Sequence, residues 1–344
     1  MIYLILNFIN FILSNLKDKI FKVIFVVFLI LLVGLRYNVG TDWYEYEALY
    51  YQLNYQNLVQ SKLGFLFSLV LVLFKSIGLN FIAFSFVLFS VSLLLFERTI
   101  NSFSKNYFFS FFLYLNTVFL IFHINGIRQG LALSIIFYSI KYIFNNKKNK
   151  FLFSVLFASF FHLSAILFLP IYWLKKIEIT KSRLFAIFII CLLTIHFNPF
   201  SVLVEHIAVY LNLKNVVYYI NNELFNPINL FDIQVLSRLI VFLIILLFFK
   251  DIKKNPYLFI LFKIYLLGFI TYSFFSFNQD ISYRLAFYFK MFEIILLPNV
   301  AFGIKDQHNK YAFIIFIFLI YALTSYRIFE LPDNGLTPFN HLLF

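Results

Sequence analysis

The chain is a succession of apolar stretches separated by short polar loops. An α-helix needs roughly 20 residues to cross a bilayer, and irregular backbone is not tolerated where it faces lipid. The sequence therefore predicts an all-α polytopic membrane protein with about 10–12 transmembrane helices. The candidate stretches lie near 2–15, 20–35, 64–78, 80–96, 107–123, 127–144, 151–174, 184–197, 235–249, 257–277, 284–301 and 311–326.

Composition supports a membrane protein and excludes other classes. Of the 344 residues, 62% are hydrophobic and only 12% are charged, whereas roughly 25% are charged in an average soluble domain. This excludes a soluble enzyme and a disordered chain, and the single cysteine, Cys191, excludes a disulfide scaffold. Because no linker or repeat interrupts the chain, we expect one membrane domain, 1–344, with a long outer loop at 198–236.

The net charge of +13 indicates orientation rather than a nucleic-acid partner. Loops rich in Lys and Arg stay on the cytoplasmic side of a membrane, and the basic residues here are scattered over several short loops. This rule places most of the unusual polar residues on the opposite, outer face. The predicted outer segments are 36–62, 123–128, 198–236, 278–284 and 327–344.

Two regions conflict with a simple alternation of sides. Segment 151–174 has basic residues on both flanks, which predicts a re-entrant hairpin of two half-helices that meet at His162. A second conflict lies before the basic loop 97–106, where 64–78 is predicted to dip into the membrane without crossing it. The alternative is that the charge rule fails at 97–106, which carries only a few basic residues.

The first polar motif reads LRYNVGTDWYEY and occupies 35–46. Arg36 closes the second apolar stretch at the outer face, and Asp42 follows it on the same face. Together they are candidate functional residues. Trp43 and Tyr46 are interpreted instead as an aromatic belt at the level of the lipid headgroups.

The second motif, NGIRQG at 125–130, joins two apolar stretches with almost no loop between them. Arg128 and Gln129 therefore begin a helix at or below the outer interface, where a charged group normally faces a cavity or a partner. A helix N-terminus attracts anions, and the arginine fork binds phosphate through two donors. The alternative is that Arg128 extends back to the interface.

The region 278–285 forms a further outer turn, with Arg284 at the start of a helix. Asp280 is expected either to cap that helix or to pair with Arg284. Deeper in the same stretch, Lys290 and Glu293 are three residues apart and are predicted to form a structural ion pair.

These polar residues suit an anionic lipid headgroup that is processed at the outer leaflet. The residues that carry this inference are Arg36, Arg128, Arg238 and Arg284, with Asp42 and His162 nearby. For His162, an ordinary packing role is the alternative. Because motifs for metal, nucleotide and serine-hydrolase sites are missing from the sequence, we expect no metal, no cofactor and no nucleic-acid partner.

In this order, the motifs resemble the EpsG family, which belongs with the Wzy-type polysaccharide polymerases. The resemblance implies a GT-C-like membrane fold in the bacterial cytoplasmic (inner) membrane, with an active site that faces the periplasm or exterior. It also implies an enzyme that joins undecaprenyl-diphosphate-linked oligosaccharide repeat units into exopolysaccharide, capsule or O-antigen. The matching segments are LRYNVGTDWYEY at 35–46, NGIRQGLALSI at 125–135, FHLSAIL at 161–167 and YRLAFYF at 283–289.

The resemblance implies roles for individual residues. Arg128 and Arg284 bind the diphosphate, and either His162 or Asp42 accepts the proton of the attacking sugar hydroxyl. The family's functional residues fall here on Arg36, Asp42, Arg128, Gln129, His162 and Arg284, and the further substrate-binding candidates are Tyr44, Asn125, Arg238 and Asp280. Expected partners are the lipid-linked oligosaccharide, membrane lipid, a chain-length regulator and a flippase.

Two other functions use similar features. An O-antigen ligase transfers a finished glycan from the same lipid carrier to a different acceptor. A flippase or transporter moves the lipid-linked oligosaccharide across the membrane and makes no new glycosidic bond.

Overall fold

The computed structural model describes residues 3, 6–7, 19–58, 61, 63–210, 212, 217, 227–330, 335–336 and 339–342. These residues form helices, together with one isolated antiparallel bridge between Arg36 and His341. The all-α prediction is therefore confirmed. The first predicted stretch, 2–15, lies mostly outside the described residues.

Fifteen numbered helices and one 3₁₀ helix are used below, and the second half of α5 has π-helical geometry. In chain order they are α1 (Lys19–Gly34), α2 (Trp43–Gln52), α3 (Phe65–Ser76), α4 (Phe81–Phe103), α5 (Tyr107–Asn125), α6 (Ile127–Phe144), α7 (Lys148–Phe161), the 3₁₀ helix (Leu163–Lys176), α8 (Lys181–Phe197), α9 (Ser201–Tyr210), α10 (Ile233–Leu247), α11 (Phe249–Lys254), α12 (Pro256–Phe274), α13 (Gln279–Lys290), α14 (Glu293–Ala301) and α15 (Gln307–Glu330).

Several of these helices are long and apolar enough to cross a membrane. Within the described residues, α4, α5, α12 and α15 each meet that condition. Helices α8 and α9 are bent by 75° at a short break, and together they make a fifth candidate. The protein is therefore polytopic, whereas the expected 10–12 spans and the GT-C-like arrangement stay predictions.

The two segments expected to be re-entrant have unusual shapes. Helix α7 ends at Phe161, His162 is extended (φ −149°, ψ 113°), and the 3₁₀ helix follows. The predicted break at His162 is thus confirmed. Helix α3 has 12 residues, and at 1.5 Å per residue its length is about 18 Å, well short of a hydrocarbon core of about 30 Å. That neither segment crosses the membrane stays a prediction.

The predicted outer loop at 198–236 contains a helix of its own. Three residues separate the end of α8 from the start of α9, whose apolar residues Val202 and Val209 are exposed, as is Tyr210. Most of the loop beyond α9, up to 226, lies outside the described residues.

Contacts divide the chain into two compact units. Unit 1 comprises Met1–Leu169 and Ile294–Phe344. In this unit α6 packs on α4 and α7, and α4 packs on α1. Close approach is possible at the start of α6 because Gly130 has no side chain: a Cβ there would lie 2.4 Å from the Phe122 carbonyl oxygen.

Unit 2 comprises Pro170–Glu293. Helix α12 packs on α8 and α13. A glycine permits the contact between α12 and α13, since a Cβ at Gly268 would lie 3.1 Å from the backbone nitrogen of Lys290. The apolar core of this unit includes Cys191, Val235 and Phe269. That both units belong to one membrane domain stays a prediction.

Candidate functional site

In unit 1, Arg36 anchors the loop that carries the first motif. The side chain is 1% exposed, and it donates from Nη1 to the Val33 carbonyl (2.9 Å) and from Nη2 to the Ile124 carbonyl (3.2 Å). Its guanidinium also lies 5.4 Å from the centre of the Trp43 ring. Burial lowers the pKa of Arg36 to about 10, so the group stays protonated at neutral pH. Arg36 thus ties the loop to the α5–α6 turn, and substrate contact stays a prediction.

The same turn holds the loop at a second point. The Thr41 N–H donates to Asn125 Oδ1 at 2.8 Å. Beside it, Gly40 has a φ of +114°, and a Cβ there would lie 2.8 Å from the Ile124 carbonyl oxygen. Only glycine fits this position without strain. Asn125, expected to bind substrate, therefore uses its side-chain oxygen to position the loop.

The C-terminal tail, described at residues 335–336 and 339–342, holds the motif loop through backbone hydrogen bonds. Sequence reasoning missed this contact because it joins opposite ends of the chain and no residue pattern indicates it. The backbone hydrogen bonds are Gly40 N–H to Gly335 O (2.6 Å), Tyr37 N–H to Asn340 O (3.1 Å) and Leu342 N–H to Leu35 O (3.1 Å). The His341 ring adds a contact, with Nε2 3.2 Å from the Leu31 carbonyl oxygen.

A phenol and a guanidinium meet where α2 approaches α6, and a carboxylate lies at the start of α2. The Arg128 guanidinium lies within hydrogen-bonding reach of the Tyr46 hydroxyl. Asp42 precedes α2 by one residue, and its negative charge adds to the rise in the pKa of Tyr46. The Asp42 carboxylate accepts a hydrogen bond from Thr41 Oγ1 at 3.1 Å. Burial raises the pKa of Tyr46, so its hydroxyl stays neutral and can donate. We call Asp42, Tyr46 and Arg128 the acid–arginine cluster.

The aromatic residues of the first motif differ in their surroundings. Trp43 and Tyr46 are both buried against protein, so their interpretation as an interfacial belt is wrong. The sequence could not show this, because a tyrosine near a membrane surface is equally typical of a belt and of a buried site. Tyr44 is exposed, and its expected contact with substrate stays a prediction.

Three further polar residues of unit 1 are buried or half-buried in the protein. Buried His123 lies with Nδ1 2.6 Å from the Tyr114 hydroxyl and Nε2 3.0 Å from Ser134 Oγ, which assigns it to packing. Gln129 is also buried. His162 is half-buried, and its Nδ1 lies 2.6 Å from Ser164 Oγ at the helix break. Catalytic or binding roles for Gln129 and His162 stay predictions.

Unit 2 contains a second buried arginine. Arg238 on α10 is 3% exposed, and its Nη1 donates to the Gln234 carbonyl at 2.9 Å. Its guanidinium lies over two rings, 3.7 Å from the centre of Tyr272 and 5.8 Å from that of Tyr283. In the described part of the chain, Nε and Nη2 of Arg238 have no hydrogen-bond partner, nor has the buried Tyr272 hydroxyl. We call this the Arg238 cage.

Two other charged pairs of unit 2 were expected from the sequence. Arg284 Nε lies 3.0 Å from Asp280 Oδ2, so the pairing alternative for Asp280 is confirmed. The capping alternative is wrong, because Asn278 caps α13 instead. Lys290 and Glu293 also form the predicted ion pair. Substrate contacts by Asp280 and Arg284 stay predictions.

Comparison with known proteins gives one match. The sequence model of the EpsG family matches residues 19–341, which is nearly the whole chain. No curated protein and no solved structure matches.

Proposed function

This chain belongs to the EpsG family, and from that premise we propose that it is a polysaccharide polymerase. It joins undecaprenyl-diphosphate-linked oligosaccharide repeat units by glycosyl transfer at the outer face of the bacterial cytoplasmic membrane. Family membership and the polytopic helical fold support this role. The observation that carries the chemistry is the acid–arginine cluster, since it combines a base with a phosphate-binding cation.

In the proposed reaction, a sugar hydroxyl of one lipid-linked unit attacks the anomeric carbon of another. A new C–O bond forms, and the bond between the anomeric carbon and the diphosphate oxygen breaks. The lipid diphosphate leaves with the electron pair, while the hydroxyl proton passes to a base. Negative charge develops on the leaving diphosphate, so the site needs both a base and fixed positive charge.

Arg128 is the proposed cation for the leaving diphosphate. It lies in the first turn of α6, where the helix dipole adds to its attraction for anions. Asp42 is the proposed base because it begins the helix whose Tyr46 hydroxyl contacts Arg128. Tyr46 is a positioning residue that holds the Arg128 guanidinium in place.

The Arg238 cage supports a second phosphate site. A buried guanidinium normally uses all its donors, because an unsatisfied buried donor costs about 1–3 kcal/mol. Nε and Nη2 of Arg238 are therefore available for a phosphate group. Polymerisation requires two lipid-linked substrates, and Arg238 is proposed to bind the phosphate of one of them.

The proposed clamp is tested by polymerisation of a purified lipid-linked repeat. Arg128→Ala is expected to lower the rate by about 100-fold or more, because charge on the leaving group is no longer stabilised. Arg98→Ala removes an exposed arginine from α4 and should leave the rate unchanged. Normal activity of a well-inserted Arg128→Ala protein would contradict the clamp.

A further inference from the structure

Unit 2 has an open pocket whose charge has no part in the proposed reaction. Its volume is about 430 Å³. Two elements form it, the start of α8 and the whole length of the short helix α11. The lining residues are Thr180, Lys181, Phe249, Lys250, Lys253 and Lys254.

The pocket has an excess of positive charge. Two of its four lysines have acidic neighbours: Lys253 lies 3.7 Å from Glu178, and Lys254 lies 3.8 Å from Asp251. Both are exposed pairs of little energetic value. In the part of the chain that the structure describes, Lys181 and Lys250 have no ion-pair partner. Four lysines against two carboxylates leave two positive charges.

Exposed apolar residues occur close in sequence to the residues that line the pocket. Phe185 lies one helical turn after Lys181, hence on the same side of α8, and it is exposed. Leu247, two residues before Phe249, is even more exposed. A cationic pocket on elements that also carry exposed apolar residues matches an amphiphile with a phosphate headgroup and acyl chains, whereas a soluble anion would not need the apolar residues.

We propose that this lysine pocket binds the phosphate headgroup of an anionic phospholipid. Its lysines belong to the basic loops that the charge rule places on the cytoplasmic side, where anionic headgroups attract basic residues. Lysine carries a point charge on a flexible side chain. We therefore expect the pocket to select lipids by the charge of the headgroup and not by its detailed shape. The inference is independent of the polymerase reaction.

The test is native mass spectrometry of the purified full-length protein with phosphatidylglycerol and, separately, with phosphatidylethanolamine. Phosphatidylglycerol should remain bound, and the variant Lys181→Gln/Lys250→Gln should bind it at least about tenfold more weakly. The matched control, Lys147→Gln/Lys150→Gln, removes two exposed lysines from unit 1 and should bind it normally. Lys181→Arg/Lys250→Arg keeps the charge and should retain the lipid, which separates charge loss from misfolding.

Several outcomes would overturn the proposal. Unchanged phosphatidylglycerol retention in the Lys181→Gln/Lys250→Gln protein is one, and equal losses in the pocket and control variants are another. Equal retention of the zwitterionic phosphatidylethanolamine would also contradict it. Displacement of the lipid by millimolar glycerol phosphate would assign the pocket to a soluble anion instead.

Discussion

Tyr46 places a buried hydroxyl beside an arginine, one helical turn after an acidic residue. It lies on α2 between the motif loop and the first turn of α6, with the Arg128 guanidinium at its hydroxyl. This places a positioning residue in a motif whose aromatic residues otherwise suggest only membrane contact. Arg36 ties the motif loop to the protein, since each of its terminal nitrogens donates to a backbone carbonyl group, and its contact with substrate stays a prediction.

Tyr46→Phe should raise the KM for the lipid-linked repeat about tenfold, because Arg128 loses the hydroxyl that positions it. The matched control is Tyr50→Phe on the same helix, which removes the hydrogen bond from the Tyr50 hydroxyl to the Leu79 carbonyl (2.6 Å). Tyr50→Phe should lower the melting temperature and leave the KM unchanged. Steady-state kinetics and thermal unfolding of both variants separate the two effects; equal KM changes would refute a positioning role for Tyr46.

At the scale of elements, the C-terminal tail is part of the candidate site. Gly335 has a φ of +66°, and a Cβ there would lie 2.4 Å from the Thr41 nitrogen. Gly335→Ala should therefore push the tail from the loop and lower polymerisation at least about tenfold, since loop and Asp42 move together. Gly78→Ala is the matched control, because Gly78 also has positive φ but has open space around it. The measurement is the polymerisation rate of both variants. Equal rates for Gly335→Ala and Gly78→Ala would show that the tail is not part of the site.

The break at His162 gives a test of the predicted re-entrant hairpin. In a background with buried Cys191 replaced by serine, new cysteines at Lys147 and Lys176 should react with an impermeant maleimide only from the cytoplasmic side. The control is a cysteine at Tyr44, an exposed residue that is predicted to lie on the outer face. It should react with the impermeant maleimide in intact cells. Labelling of positions 147 and 176 from opposite sides would show that the segment crosses.

Local features of the sequence predicted local structure well. The flanking charges of 151–174 located the helix break, and residue spacing located the pairs Asp280–Arg284 and Lys290–Glu293. The acid–arginine cluster and the tail contact join residues far apart in the chain. Neither follows from a helical period or a charge rule, because such contacts depend on how helices pack.

At the scale of the whole molecule, each compact unit contributes one candidate phosphate-binding arginine, Arg128 in unit 1 and Arg238 in unit 2. The positive charge in the lysine pocket is a separate feature that the sequence explained only as an orientation signal. Family membership was predictable because four motifs occur in order along the chain, and the family match confirms it. The polymerase reaction is the central proposal.

The most direct test is the product formed when the purified protein receives a single lipid-linked repeat unit. We expect a ladder of lipid-linked products spaced by one repeat, with one lipid diphosphate released for each new glycosidic bond. Transfer of the repeat only to a different acceptor would indicate a ligase. Passage of the repeat across a vesicle membrane without any new glycosidic bond would indicate a flippase, and either result would contradict the polymerase.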